Sequence, residues 1–200
     1  EHAAVHPPER CILLVPDAAT YTVERELAAY LPGRGFGNIE VLGFARLAYR
    51  IFDEQGTQGG KGLSVLGRQI ILRRLLLAHG DEFTTLARAA RQPHFTEVFD
   101  NQLQELGHYQ LEPDDLRRAA TEATPALGNK LRDTALLAQA YQEYLAEHFP
   151  DYEAQTENLL RAIETSQYLA EASIWVDGFL EFLPRDWTIV EAVMKQAKRA

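Results

Sequence analysis

Short unbroken apolar runs mark the two ends of the chain, and helical periodicity fills its middle. Cys11-Ile12-Leu13-Leu14-Val15, closed by Pro16-Asp17, has the form of a strand buried on both faces. Asp17 is placed to cap the helix that follows, whose apolar positions Val23, Leu27 and Leu31 share one face before Pro32-Gly33 stops it. A second run, Ile39-Glu40-Val41-Leu42, leads directly into Phe44, Leu47, Ala48, Ile51 and Phe52 at i, i+3, i+4, i+7 and i+8, a strand followed by an amphipathic helix. The third run comes only at Ser173 to Asp177. Strand, helix, strand with crossovers of this length predicts parallel pairing with right-handed connections.

From about Ser64 to Ser166 the pattern is helical, with almost no strand signal. Ser64 is placed to cap a helix carrying Leu66, Ile70 and Leu77; Pro93 and Pro113 fall where first-turn prolines belong; Leu131 to Phe149 is long enough for five turns. Gly56-Thr57-Gln58-Gly59-Gly60-Lys61-Gly62, with four glycines in seven residues, is the expected crossing into this segment. The fold class is therefore α/β, an incomplete parallel sheet interrupted by a large all-α insertion. Residues 1–62 form the first part of the α/β core, 63–168 the helical insertion and 169–200 the return to the core.

Composition narrows the classes. A net charge of −9 over 200 residues argues against a surface coated for non-specific DNA binding, so any nucleic-acid contact must be local. The single cysteine, Cys11, cannot build a disulfide framework, a zinc site or an iron–sulfur cluster; a core position in a reducing compartment fits it best. The longest apolar stretches fall short of a membrane span and no signal peptide opens the chain, so a soluble, cytoplasmic protein is expected. The chain opens on Glu1 and its only methionine is Met194, as expected of a piece cut from a longer protein. His79, His94, His108 and His148 lie in no H-x-x-x-H or Ser-His-Asp arrangement and read as helix-end or surface residues.

One segment carries the outline of a chemistry. Ile174-Trp175-Val176-Asp177-Gly178-Phe179-Leu180-Glu181 is an apolar run ending in an acid, the form in which helicase-type ATPases hold the carboxylate that orients Mg²⁺. The next position, where such a site places the water-activating Glu, is Gly178. Chemistry of that kind needs one carboxylate at the metal and another as base. Glu181, four residues after Asp177, belongs to the turn and has no positioned nucleotide to act on. The plainer reading is a core strand ending in an Asp-Gly turn.

Taken in order, Ile12-Leu13-Leu14-Val15-Pro16-Asp17-Ala18-Ala19-Thr20-Tyr21, Val23-Glu24-Arg25-Glu26-Leu27, Val41-Leu42-Gly43-Phe44-Ala45-Arg46-Leu47-Ala48-Tyr49-Arg50, Leu66-Gly67-Arg68-Gln69, Ala87-Arg88-Ala89-Ala90-Arg91-Gln92-Pro93 and Ile174-Trp175-Val176-Asp177-Gly178-Phe179 resemble the N-terminal part of the B subunit of bacterial AddAB (RexAB) helicase–nucleases. The resemblance implies a superfamily 1-like P-loop helicase sheet, and a parent protein that is an ATP-dependent helicase/deoxyribonuclease resecting double-strand breaks for homologous recombination. It also implies an A-subunit partner in a heterodimer, single-stranded or unwinding duplex DNA as ligand, and recognition of the Chi sequence. ATP with Mg²⁺ and an iron–sulfur cluster are implied for the parent, outside these residues.

The family's phosphate loop, G-x-x-G-x-G-K-[ST], does not occur in this sequence: Gly33-Arg34-Gly35-Phe36-Gly37 lacks the Lys-Ser/Thr ending, and Gly59-Gly60-Lys61-Gly62 has Gly where the Mg²⁺-binding hydroxyl belongs. It is expected upstream of Glu1, and the loss of its strand is expected to leave apolar surface around Val15 and Val176 that rearrangement or self-association must cover. No catalytic residue, metal site or cofactor is expected in this chain, which by itself should hydrolyse nothing. By the resemblance, Thr20, Tyr21, Phe44 and Arg46 correspond to loops that hold DNA in motor helicases, although Phe44 also falls on its helix's apolar stripe and Arg46 also suits a solvated surface. Arg68, Arg73, Arg74, Arg88 and Arg91 give the insertion local positive charge, as a DNA surface or as a solvated face. Two classes stay open: a catalytically silent helicase-like module that holds DNA, and a scaffold that only docks a partner.

Overall fold

The structure is a computed structural model that describes residues 9–30, 37–56, 63–149 and 155–200. Leu31, the helix stop at Pro32-Gly33 and the glycine-rich stretches at 33–36 and 57–62 lie outside the described residues. The chain divides into two compact units, Glu1–Gly60 with Gln155–Ala200, and Lys61–Ala154.

In the first unit three strands form a parallel sheet. β1 (Arg10–Leu14) is central, with β2 (Ile39–Leu42) on one side and β3 (Ala172–Val176) on the other. The three apolar runs thus become strands, and their order places the chain's two ends side by side: Ile12 is opposite Glu40 on one side and Ile174 on the other. On the outer side of β3 the Ile174 N–H donates to the Arg199 carbonyl (2.8 Å) and Lys198 N–H to the Ala172 carbonyl (3.1 Å), so the last residues begin a further parallel pairing.

Alternation along the strands sets Ile12, Leu14, Leu42, Ala172 and Ile174 on one face. There they meet Leu47, Ile51 and Phe52 of helix Phe44–Glu54, Leu159, Ala162 and Ile163 of helix Gln155–Thr165, and Ile189, Val190 and Val193 of helix Pro184–Gln196. Helix Gln155–Thr165 therefore packs with the sheet, although the sequence pattern groups it with the insertion. Polar bonds tie the same region to helix Phe44–Glu54. Glu54 accepts from the Ser166 hydroxyl (2.6 Å) and the Tyr168 amide (2.7 Å), and Gln55 donates to the Ala162 carbonyl (2.9 Å). At the strand ends Val15 is buried and Val176 packs against the core.

In the second unit all the regular elements among the described residues are helices. Helices Val65–Ala78, Phe95–His108, Pro113–Glu122 and Pro125–His148 form it, with a short helix at Ala87–Ala90. Ser64 caps the first by accepting from the Gly67 amide (3.1 Å), and Pro113 and Pro125 open theirs at the first turn, where a missing N–H costs nothing. Pro93 stands just ahead of its helix, and its carbonyl accepts from Thr96 N (3.3 Å). The core-facing side of helix Val65–Ala78 is Ile71, Leu72, Leu75 and Leu76, whereas Leu66, Ile70 and Leu77 are exposed. The helix is apolar nearly all round, so periodicity offers two faces and only packing against Phe83, Phe99, Leu137 and Tyr141 selects one.

Buried charge in this unit is fully engaged. Arg68 makes a two-pronged bond to Asp100, Nε to Oδ1 at 2.9 Å and Nη2 to Oδ2 at 3.1 Å. Asp133 receives the amides of Thr84 (3.0 Å), Thr85 (2.6 Å) and Leu86 (2.8 Å) and the Thr84 hydroxyl (3.1 Å), which fixes the loop leading into helix Ala87–Ala90. Burial alone would raise the Asp133 carboxyl's pKa, but these hydrogen bonds hold it below the ordinary carboxylate value. His79, His94, His108 and His148 all sit at helix ends. No helix among the described residues is long and apolar enough to cross a membrane.

Candidate nucleic-acid interface

The carboxyl ends of the three parallel strands open into three segments, and these hold the residues singled out in the sequence. After β1, a 3-10 turn at Asp17–Ala19 runs into helix Thr20–Tyr30. The Thr20 hydroxyl donates to the Asp17 carbonyl (3.0 Å), leaving its oxygen free to accept, and the Tyr21 ring stands in solvent at 72% exposure. After β2, Gly43 caps helix Phe44–Glu54 without a side-chain bond. After β3, the chain turns through Asp177–Phe182 before helix Pro184–Gln196.

Asp17 does not cap its own helix. Its carboxylate lies against Gly43, so close that a Cβ there would displace the exposed Asp17 side chain. The negative charge sits at the amino end of helix Phe44–Glu54, where the helix dipole favours an anion. A phosphate at that helix start would meet Asp17 first.

Phe44 and Arg46 leave the same first turn in different directions. Phe44 is half-buried on the core, with its ring 5.5 Å from Phe179; Phe179 is 4.8 Å from Phe182, and Phe182 is 5.8 Å from Trp187. This row joins the segment after β2 to the one after β3 and carries Leu180 outward, fully exposed. Phe44 is thus an anchor in a hydrophobic row. Phe179, Phe182 and Trp187 are not among the candidate contact residues read from the sequence, although three aromatics within nine residues after a strand are a readable signal. Arg46 instead reaches Glu24 of helix Thr20–Tyr30, Nη1 to Oε1 at 3.7 Å. An exposed pair of this length contributes only about 0.2–1 kcal/mol, so an incoming phosphate can compete for the guanidinium. Arg46 also lines an open cleft of about 420 Å³ beside β2 with Glu24, Glu40, Tyr49 and Arg50, whose charges balance.

Asp177 extends the strand ladder through its backbone, donating its N–H to the Leu14 carbonyl (3.0 Å), while its side chain is exposed. Gly178 has φ +78°, the left-handed conformation that L side chains avoid. Glycine is therefore what the turn itself calls for at this position. Glu181 is exposed in that turn.

The arginines of the helical unit divide. Arg68 is consumed by buried Asp100 and is no phosphate ligand; Arg88 and Arg91 are exposed. Cys11 is buried, and burial, with Glu9 nearby, pushes its thiol pKa up, away from nucleophilic use. Among the described residues no group of three or more His, Cys, Asp or Glu is placed to hold a metal ion.

Comparison with known proteins identifies the family. The family model described as "ADDB, N-terminal" matches residues 2–200. The chain is 35% identical over 193 residues to the B subunit of the ATP-dependent helicase/deoxyribonuclease of Pelotomaculum thermopropionicum, covering 94% of this chain and 17% of that protein. The corresponding subunit from Heliobacterium modesticaldum is 36% identical over 195 residues, covering 94% and 16%, and that of Bacillus subtilis 32% over 194 residues, covering 94% and 17%. The chain thus spans only 16–17% of the length of these relatives.

Proposed function

The chain belongs to the ADDB N-terminal family, and on that premise we propose that it is a catalytically silent, helicase-like module of a DNA helicase/deoxyribonuclease subunit acting in double-strand break repair. Its work is to hold single-stranded or unwinding DNA, including the scanning for Chi, beside an A subunit in the cytoplasm. The observation that carries the silent part is Gly178 at φ +78° immediately after Asp177 at the end of β3. One exposed carboxylate followed by a residue without a side chain does not fit a Mg²⁺-nucleotide site. The parallel sheet, with its three segments gathered at the strands' carboxyl ends, supports the helicase-like reading, since ligands of such sheets bind outside those ends. The single buried cysteine leaves any iron–sulfur cluster to residues elsewhere in the parent.

The DNA contact rests on Tyr21, whose exposed ring can stack on a base, and on Arg46, with the Thr20 hydroxyl as a phosphate neighbour. Binding is measured by fluorescence anisotropy with labelled single-stranded DNA. About two or three phosphate contacts lose about tenfold in affinity between roughly 50 and 200 mM salt. Tyr21→Ala and Arg46→Ala each weaken the complex. Absent or salt-independent binding removes the DNA role and leaves the second reading, a docking scaffold. That reading has its own support in Asp17 at the start of helix Phe44–Glu54 and Glu24 on Arg46, both of which repel a phosphate.

A further inference from the structure

Helix Val65–Ala78 keeps a second apolar side that its own unit does not use. Leu66, Ile70 and Leu77 are 67%, 61% and 58% exposed, although four other aliphatic residues of the helix are buried in the core. At roughly 100° per residue, the three exposed side chains fall within about 40° of one another and form one straight ridge. Arg73 borders the ridge on one side and Arg74 on the other.

Both arginines are held in place without being neutralised. Arg73 donates to the carbonyls of Ala90 (2.8 Å) and Arg91 (3.2 Å), and the Arg74 guanidinium lies 5.8 Å from the centre of the Tyr144 ring. Among the described residues neither has a carboxylate partner, whereas Arg68, Arg117 and Arg118 of the same unit pair with Asp100, Asp114 and Asp115. In a chain of net charge −9 these are two fixed cations flanking an apolar strip. A nucleic acid would satisfy the cations and leave the ridge wet. An amphipathic helix covers both, because its apolar stripe lies along the ridge and acidic residues on its borders meet the two guanidinium groups.

We propose that the ridge Leu66, Ile70 and Leu77, bordered by Arg73 and Arg74, is the docking surface for one amphipathic helix of a protein partner, with Leu or Ile along its stripe and Glu or Asp on both borders. It is independent of the DNA-binding reading, since it uses neither Tyr21 nor Arg46.

The test uses the purified chain and two synthetic helical peptides with the same leucine stripe, one bordered by Glu and the other by Lys. The Glu-bordered peptide binds about tenfold more tightly at low salt, the worth of two exposed charge pairs. Ile70→Asp lowers its affinity at least about tenfold, as expected of a central apolar anchor, and Arg74→Glu shifts the preference toward the Lys-bordered peptide. Ile70 lies outside the core, so circular dichroism of the variant should match the parent; Leu66→Ser serves as a second ridge variant if it does not. Several outcomes overturn the proposal: no binding of the Glu-bordered peptide, equal binding of the two peptides, or indifference to both ridge variants. So does a ridge that only joins two copies of the chain, seen as a dimer that Ile70→Asp dissociates with peptide binding unchanged. Loss of single-stranded DNA binding on Arg74→Glu, with peptide preference unaltered, assigns the surface to nucleic acid instead.

Discussion

Asp133 in the helical unit and Asp177 at the end of β3 carry the same side chain into opposite circumstances. Asp133 is 3% exposed and receives three amides and a hydroxyl; Asp177 is exposed and joins the fold through its backbone alone. The same contrast separates the arginines, since Arg68 closes on buried Asp100 while Arg46 shares an exposed 3.7 Å pair with Glu24. The buried charge of the helical unit is built into the packing, where removing it is costly. Charge at the ends of the strands remains in water, available to a ligand at little cost to stability.

That contrast can be broken most directly at Arg68. Arg68→Ala leaves Asp100 buried without its cation and should lower unfolding free energy by about 3–5 kcal/mol, read from urea denaturation. A loss under about 1 kcal/mol would place Asp100 in contact with water and erase the distinction. Asp133→Asn comes next, at about 2–3 kcal/mol, because an amide cannot accept all the bonds a carboxylate does. Its pH signature sharpens the point. The native carboxyl is held below its unfolded value of about 4, so its contribution is complete above that pH and is lost as pH falls through the lower native value. Denaturation at a series of acid pH values should therefore show a steeper decline for the parent chain than for Asp133→Asn. Parallel declines would mean that the clasp is not ionised in the native state.

At the strand end the effects shrink. Gly178→Glu forces an L side chain into φ +78° and should cost about 1–2 kcal/mol while creating no DNA-stimulated ATPase, measured as phosphate release with Mg²⁺. Appearance of turnover in that variant would show that only the carboxylate had been lacking. The smallest change is Asp177→Ala, expected within about 0.5 kcal/mol of the parent and without effect on an ATPase already at background. Robust hydrolysis by the parent chain, abolished by Asp177→Ala, overturns the silent-module reading.

Much of the fold is legible because the local signals are strong. Three short, mainly apolar runs bounded by turn residues read as strands, Ser64 and Pro113 mark helix starts, and the Phe44 to Phe52 spacing names the face that enters the core. The site is less legible. Phe44 reads both as a DNA contact and as a core residue, and its ring proves to be the first of a row reaching Trp187, a contact that no local spacing encodes. Asp17 has the composition of a cap for the helix after it, yet its carboxylate lies against Gly43, twenty-six residues later in the chain. Arg68 reads as surface charge because its partner stands thirty-two residues away.

By itself the sequence determined which segments are strand or helix, where chain reversals occur, and that Asp177 is followed by no acid. These follow from side-chain periodicity, capping chemistry and residue identity, all properties of neighbours in the chain. Tertiary structure alone decided which face of helix Val65–Ala78 is covered, which arginines gain a carboxylate partner, and that helix Gln155–Thr165 belongs to the sheet's core. Burial and ion pairing are set by residues distant in sequence. A helix apolar on two sides, or a cation with several possible partners, acquires its role only when the fold brings one of them within reach.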